Sequence, residues 1–273
     1  MRKGAIKRYL IFTKAGFQTL MAYRGRIFLW FVGALISAVL MSLLWRAIYS
    51  FSDEPTIGGY TYSQMLLYVI VSAVMFEVTV SDTMGAIVDD VRYGQIGMRL
   101  MKPISYRLQL CFTNIGNYLG RLLIFGVPFM TAGTLIAVYG FGLTGLTWYN
   151  ILLFIPASFI AMMINEAYDF LFGQLAFRTH AMFGVNSMSM TISGFLSGRM
   201  IPLSVFPVWA QKVLNCTPFP FMMSMPVRLY LGVMSTNDVL ISFAVAIAWL
   251  IAINIIGQLC YKTSVRKVVV FGG

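Results

Sequence analysis

The stretch Ile27–Tyr49, "IFLWFVGALISAVLMSLLWRAIY", decides the fold class, because Arg46 is its only charged residue. A helix that crosses the hydrocarbon core of a bilayer needs about 20 consecutive, mainly apolar residues. Comparable runs recur along the chain. We predict six spans, at about 27–49, 61–82, 112–139, 149–172, 181–198 and 238–260. The sequence therefore predicts an all-α polytopic membrane protein.

The composition of the whole chain supports this prediction. Of the 273 residues, 59% are hydrophobic and only 11% are charged. A soluble domain carries roughly 25% charged residues, so most of this surface cannot face water. The chain is therefore built to contact lipid.

The net charge of +11 is concentrated in three short segments, which are an N-terminal arm, a loop at 90–107 and the C-terminal tail. A strongly basic soluble protein would suggest nucleic acid as its partner, but short basic loops beside apolar spans follow the positive-inside rule. With six spans all three segments lie on one side, opposite the acidic stretch "SFSDEPTIGG" at 50–59. We therefore predict cytoplasmic N- and C-termini and no nucleic-acid partner.

This topology divides the chain into three parts. Residues 1–26 alternate apolar and basic side chains, which is typical of a cytoplasmic amphipathic helix in the headgroup plane. Residues 27–260 form the six-helix transmembrane domain, and residues 261–273 form a cytoplasmic tail. The arm is either a simple topology anchor or an interfacial helix that also contacts a partner.

The segment at about 199–232 is apolar but contains five prolines, Pro202, Pro207, Pro218, Pro220 and Pro226. Proline removes a backbone donor and breaks helix interiors, and backbone groups in hydrocarbon must be satisfied within the protein. We therefore predict short broken helices that enter the membrane from the external face, rather than another span.

A second unusual stretch, "RYGQIGMRLMKP", covers Arg92–Pro103 between the second and third spans. On a helical wheel, its basic and amide residues fall within one arc, while apolar residues cover much of the rest. We predict a short amphipathic helix within about 89–105, closed by Pro103, with Asp89 and Asp90 near its start. It is either a basic loop held against anionic lipid or a docking helix for a soluble partner.

Three stretches carry a resemblance to a known family. They are "RYGQIGMRLMKPISYR" at 92–107, "SGRMIPLSVFPVWAQKVLNCTPFPFMMSMPVRLYLG" at 197–232, and the Gly-Gly ending "VRKVVVFGG" at 265–273. Together they resemble the ABC-2 type transporter permease family, the transmembrane subunits of bacterial ABC exporters. The 202–232 stretch is the most specific of them, and the likeness extends over essentially the whole chain.

The resemblance implies a fold of six transmembrane helices, with an N-terminal interfacial helix and broken external helices between spans five and six. It implies a permease that forms half of an export path in the bacterial plasma membrane. Two copies of a separate ATPase subunit would bind ATP and Mg, and a second permease, identical or related, would complete the path. This chain itself would bind no cofactor and would not be an enzyme.

The same resemblance assigns roles to particular residues. Contact with the ATPase would be made by Arg92, Tyr93, Gly94, Gln95, Ile96, Leu100, Lys102 and Pro103. The external gate would be formed by Pro202, Phe206, Pro207, Trp209, Pro218 and Phe219. Arg199 departs from the family pattern, in which small or apolar residues are expected at that position.

The residues themselves agree with a non-catalytic role. No GxxxxGK[S/T] phosphate loop occurs in the sequence, so ATP would have to be bound by another chain. Cys111, Cys216 and Cys260 are scattered, without metal-ligand or disulfide spacing. The sequence therefore predicts neither a metal site nor a nucleophilic active site.

The ionisable residues Glu77, Glu166 and Asp169 fall inside predicted spans. Such groups either pair structurally, here with Arg121, Arg178 or backbone, or relay ions through the membrane. The alternative function is therefore an ion- or proton-coupled secondary transporter that works without an ATPase. Five glycines predict close contacts between helices, Gly33, Gly85, Gly116, Gly120 and Gly126.

Overall fold

The computed structural model describes residues 3–140, 147–177 and 182–265, and α-helices dominate these ranges. The helices are α1 Lys3–Ala22, α2 Arg24–Ser50, α3 Tyr62–Thr79, α4 Thr83–Arg92, α5 Ile96–Leu100, α6 Tyr106–Arg121, α7 Val127–Leu135, α8 Trp148–Gly173, α9 Met182–Leu196, α10 Val208–Asn215, α11 Phe219–Met222, α12 Ser224–Tyr230 and α13 Thr236–Val265. Wider π-helical turns continue α6 into α7 and extend α7 to Gly140.

Within the described ranges, five helical stretches are long and apolar enough to cross a membrane. They are Arg24–Ser50, Tyr62–Arg92, Tyr106–Gly140, Trp148–Phe177 and Thr236–Val265. Large apolar side chains such as Leu29 and Leu40 on α2 and Leu240 on α13 stay exposed on the outside of the bundle. The prediction of an all-α polytopic membrane protein is confirmed.

The predicted fifth span, 181–198, is only the 15-residue helix α9. At 1.5 Å per residue α9 is about 22 Å long, whereas the hydrocarbon core is about 30 Å thick. Met182 lies in the cluster with Tyr106 and Phe170, and the chain reaches the other end of the bundle near Ser204, which contacts Gly58. The chain therefore runs from one end of the bundle to the other as a short helix followed by a non-helical segment.

Two of the basic segments, the N-terminal arm and the 92–107 loop, meet the end of α13 at one end of the bundle, which we name the basic end; the tail beyond Val265 lies outside the described residues. The backbone N–H of Ser105 donates to the Tyr9 hydroxyl of α1 at 2.9 Å. The rings of Tyr106 and Tyr261 stack with their centroids 6.4 Å apart, which brings the end of α13 to the same place. The N-terminal arm, the 92–107 loop and the last span therefore lie together, opposite residues 51–60.

Helix α1 packs directly against α6. A Cβ at Gly116 would overlap the carbonyl oxygen of Thr13, and a Cβ at Gly16 would overlap the carbonyl oxygen of Thr113. The Thr13 hydroxyl also donates to the Phe112 carbonyl at 3.0 Å. Because the two backbones approach this closely, α1 is fixed to the transmembrane bundle along its length.

The segment after α9 forms short broken helices, as the prolines predict, and it enters deeply. Phe219 of α11 contacts Tyr168 at 5.8 Å between centroids, and Tyr230 of α12 contacts Phe154 at 5.0 Å. The two contact points on α8 are 14 residues, or about 21 Å, apart along the helix. Helices α11 and α12 therefore run beside α8 for much of the bundle's depth.

Candidate functional site

The residues from 92 to 103, which we name the tip, project at the basic end but do not form one helix. Helix α4 ends at Arg92, the chain turns at Gly94 with φ of 68°, and the five-residue α5 follows. The prediction of a single amphipathic helix is therefore wrong, because a left-handed glycine interrupts it. Asp89 and Asp90 lie in the last turn of α4 instead of at a helix start.

Buried contacts hold the tip in position. Ile96 is 4% exposed and packs in a cluster with Met84 and Ile87, and Leu100 packs against the same cluster. Asp90 accepts a hydrogen bond from the Tyr106 hydroxyl at 2.6 Å and pairs with Arg99 at 2.9 Å. Ile96 and Leu100 therefore anchor the tip and face the bundle, unlike the other residues of the predicted ATPase contact.

Two methionines that are absent from the predicted ATPase contact lie on the outward surface of the tip. Arg92, Tyr93, Gly94, Gln95, Lys102 and Pro103 are exposed. Met98 and Met101 are also exposed, at 61% and 79%, beside Tyr93 at 67%. The helical wheel places Met101 on the apolar face of the segment but does not single out Met98, because Gly94 changes the direction of the chain. The tip presents an apolar centre with a basic rim.

The predicted external gate residues divide into two groups. Trp209 and Pro207 are exposed at the start of α10, and Phe206 meets Phe195 at 5.2 Å. Pro218 and Phe219 instead begin α11 deep beside α8. Pro202 is buried. The structure therefore brings only part of the predicted gate together at the end opposite the tip.

A break between α3 and α4, at Val80–Asp82, lies within the second membrane stretch. Arg121 of α6 donates to the Val80 carbonyl at 2.9 Å and pairs with Asp82 at 2.8 Å. Asn114 donates to the Ser81 hydroxyl at 2.8 Å. Polar side chains of α6 thus satisfy the Val80 carbonyl, as membrane depth requires, and bind the side chains of Ser81 and Asp82 in the break.

A second polar group connects four helices. Arg107 of α6 forms an ion pair with Glu166 of α8, donates to Asn254 of α13 at 2.9 Å, and lies over the Phe170 ring at 4.2 Å. Thr83 of α4 donates to the same Glu166 oxygen at 3.4 Å. Glu166 therefore pairs with Arg107, which is not among the predicted partners Arg121, Arg178 or backbone. Of these, Arg178 lies outside the described residues.

A cleft of about 710 Å³ opens between the break, α2, α8 and α9. Its polar lining includes Asn117, Asn165, Asn186, Ser81 and Ser193, and its charged lining includes Arg26, Arg121, Arg199, Asp82, Asp89 and Asp169. Asp169 interacts with Ser81 and with the backbone of Met84. Sequence patterns do not reveal this cleft, because its lining residues come from distant parts of the chain.

Arg199 reaches the cleft from the non-helical segment after α9. The preceding Gly198 has φ of 83°, and its carbonyl accepts a hydrogen bond from Tyr68 at 2.7 Å. This fixes the Arg199 guanidinium over the Phe76 ring, 3.1 Å from its centroid. Arg199, which departs from the family pattern, therefore lies beside Phe76 of α3 on the wall of the cleft.

A smaller apolar lobe of about 420 Å³ adjoins the cleft. It is lined by Leu29, Trp30, Gly33, Phe76, Glu77, Val80 and Met190, four of which also line the cleft. A Cβ at Gly33 or Gly85 would meet nothing within 4 Å. Close helix contact is confirmed at Gly116, Gly120 and Gly126, whereas Gly33 lines the lobe and Gly85 lines the cleft.

Among residues 3–140, 147–177 and 182–265, no group of three metal-ligating side chains comes together. The cleft chemistry in this part of the chain consists of guanidinium, carboxylate, amide and hydroxyl groups beside aromatic rings. Such an arrangement can bind a ligand or stabilise a conformation.

Comparison with known families gives one result. The profile of a family described as "ABC-2 family transporter protein" matches residues 35–272, which is most of the chain. A comparison with curated proteins finds no match.

Proposed function

Because the chain belongs to the ABC-2 family of transporter membrane proteins, we propose that it is the permease subunit of an ABC exporter. In this proposal a separate ATPase supplies the energy, and the tip is its docking surface. The observation that carries the proposal is the exposed apolar centre of the tip, Tyr93, Met98 and Met101, on a firmly anchored base.

The surface chemistry of the tip supports docking to a protein. Flexible, polarisable methionine side chains adapt to a partner groove, and the basic rim of Arg92 and Lys102 adds electrostatic attraction to an acidic groove. α1 continues the same surface, because Tyr9 contacts Ser105 at the base of the tip. A partner seated here would therefore also contact the N-terminal helix.

The contacts of α4 suggest how a movement of the tip would reach the membrane. Asp90 of α4 binds Arg99 and Tyr106, and Thr83 at the other end of α4 contacts Glu166. The break at Val80–Asp82 separates α4 from α3. Nucleotide binding to the ATPase would shift an equilibrium between two arrangements of α4, and the break would act as its hinge.

The proposed assembly contains two ATPase subunits, which bind ATP and Mg, and two permeases, this chain and an identical or related partner. The basic end faces the cytoplasm of a bacterial cell, where the positive-inside rule places it. Export then proceeds toward the opposite end, where Phe206, Pro207 and Trp209 form the outer part of a gate.

The test combines co-purification with directed variants of the tip. Tagged chain is solubilised from native membranes, and the proteins that remain bound are identified. Met98→Glu and Met101→Glu together introduce two negative charges into the apolar centre, and we expect them to abolish ATPase retention while the permease stays folded.

Val208→Glu and Val213→Glu together are the control, because Val208 and Val213 are 68% and 59% exposed on α10, away from the tip. They place the same two charges on exposed apolar positions and should leave ATPase retention intact. The proposal is wrong if the double tip variant retains the ATPase as well as the native chain does. Vigorous solute transport by the purified chain in liposomes with an ion gradient and no ATP would instead support the secondary transporter.

A further inference from the structure

We propose that the cleft binds the anionic head group of an amphipathic molecule, that Arg199 is the ligand of this head group, and that the apolar lobe holds the molecule's chain. The inference deepens the proposed function, because it names the class of molecule that the permease would carry. It rests on the placement of Arg199, on the charges around it, and on the position of the lobe.

Arg199 is a cation at membrane depth without a directly bonded partner. Among the described residues, no carboxylate lies within 4.0 Å of its guanidinium, and no hydrogen bond connects it to another group. The ring of Phe76 covers one face of the guanidinium. Stacking leaves the N–H donors at the edge free, and these donors match carboxylate and phosphate oxygens.

The other charges of the cleft are mostly engaged. Arg121 is paired with Asp82 and bonded to the Val80 carbonyl, and Asp169 interacts with Ser81 and the Met84 backbone. Arg26 lies over the rings of Tyr23 and Trp30, and Asp89 is exposed in the last turn of α4.

Glu77 is the carboxylate that interacts electrostatically with Arg199, from beyond ion-pair distance. It also lines the apolar lobe. An anionic head group at Arg199 would therefore be repelled by Glu77, whereas a cationic head group would be attracted to Glu77 and repelled by Arg199. The sign of the ligand charge can therefore be determined by substituting Arg199 and Glu77 in turn and measuring how binding changes.

The lobe supplies the apolar half of the site. It shares Trp30, Phe76, Val80 and Met190 with the cleft, so the two spaces are continuous. Leu29 and Trp30 are 69% and 52% exposed on the outer surface of α2, where lipid contacts the bundle. A ligand could therefore place its chain between α2 and α9 from the membrane and its head group at Arg199.

The test measures the binding of spin-labelled stearate to the full chain in nanodiscs of zwitterionic phosphatidylcholine. A quaternary ammonium and an alcohol on the same labelled chain serve as comparison probes. We expect the carboxylate to bind more tightly than the other two probes. Arg199→Gln should weaken its binding roughly tenfold or more, the range for a hydrogen bond between charged groups.

Arg46→Gln is the matched control, because it removes one positive charge from an exposed site on α2 that does not line the cleft. Arg199→Lys should retain part of the binding. Glu77→Gln should leave stearate binding unchanged or make it tighter. A structural Arg199–Glu77 pair would instead weaken binding in both single variants and recover it in the double variant, and this result would overturn the proposal.

Occlusion of the lobe provides a test that leaves Arg199 untouched. Gly33→Leu should fill the lobe and weaken stearate binding, whereas Gly184→Leu makes the same change in open space away from the cleft. Equal binding by both variants, or preference for the ammonium probe, contradicts the inference. Because this assay contains no ATPase, its failure leaves the proposed export function standing if ATPase retention and ATP-driven transport are observed.

Discussion

Arg107 shows how one residue can determine the packing of several helices. Arg107 is 4% exposed, and its guanidinium contacts Glu166, Asn254 and Phe170 on two other helices. A buried charge without its counter-charge is far more costly than a satisfied pair. The bonds of Arg107 to Glu166 and Asn254 therefore require α6, α8 and α13 to pack together.

Arg107→Ala should lower the free energy of unfolding by about 3–5 kcal/mol, because it leaves the Glu166 carboxylate buried and unpaired. The combined Arg107→Leu and Glu166→Leu variant should lose much less, since it removes both charges. Thermal unfolding of the purified protein in detergent measures both. Equal destabilisation by the single and double variants would contradict the importance of the charge pairing.

Asp90 has a comparable role in the tip. Asp90→Ala removes the acceptor of the Tyr106 hydroxyl and the counter-ion of Arg99, so the turn around Gly94 should loosen. We expect faster tryptic cleavage after Arg92 and Arg99, and weaker ATPase retention. The neighbouring Asp89→Ala is the control, because Asp89 is exposed, and it should leave the cleavage rate unchanged.

At the scale of helices, hydropathy predicted the long spans well and the polar segments less well. The spans α2, α8 and α13 match their predicted positions, because about 20 apolar residues have few alternatives to a membrane helix. The helical wheel failed at Gly94, because periodicity assumes an unbroken helix. Because the chain turns at Gly94, Ile96 faces the bundle. A charged residue at position 96 would therefore test stability and not docking.

Glycine spacing also needed three-dimensional information. Gly116 and Gly33 look alike in the sequence, yet Gly116 touches the backbone of α1 and Gly33 faces open space. A close contact depends on which helix faces the glycine, and one sequence does not contain that information. Gly116 therefore allows close helix packing, whereas Gly33 lines the lobe.

Gly116→Ala should detach α1 from α6, because the new methyl group would overlap the Thr13 carbonyl. Overpacking of this kind typically costs about 1–3 kcal/mol. Limited proteolysis should then cut α1 faster at Lys7, Arg8 and Lys14. Gly184→Ala adds the same methyl group in open space and should leave this cleavage unchanged; a similar rise in both variants would exclude a specific contact.

At the scale of the whole molecule, the sequence predicted which segments share one end, but it did not predict the cleft. Basic charge identified the N-terminal arm, the loop at 90–107 and the C-terminal tail, and the Tyr9–Ser105 and Tyr106–Tyr261 contacts place the first two beside the end of α13. The cleft combines residues from α1 to α11, so only the packed bundle reveals it. The orientation of the bundle in the membrane remains a prediction from charge.

Two cysteine positions can test that orientation. Phe51 is 91% exposed beyond the end of α2, opposite the basic end, and Met101 is 79% exposed in the tip. In both chains the three native cysteines, Cys111, Cys216 and Cys260, are replaced by Ser. One chain then carries Phe51→Cys, and the other carries Met101→Cys.

A membrane-impermeant maleimide should label the Phe51→Cys chain in intact cells, because the positive-inside rule places the basic end in the cytoplasm. The Met101→Cys chain should react only after the membrane is permeabilised. The opposite pattern would reverse the predicted orientation and would place the tip out of reach of any cytoplasmic ATPase. Labelling of both chains in intact cells would show that the two ends do not lie on opposite sides, which would contradict the membrane topology itself.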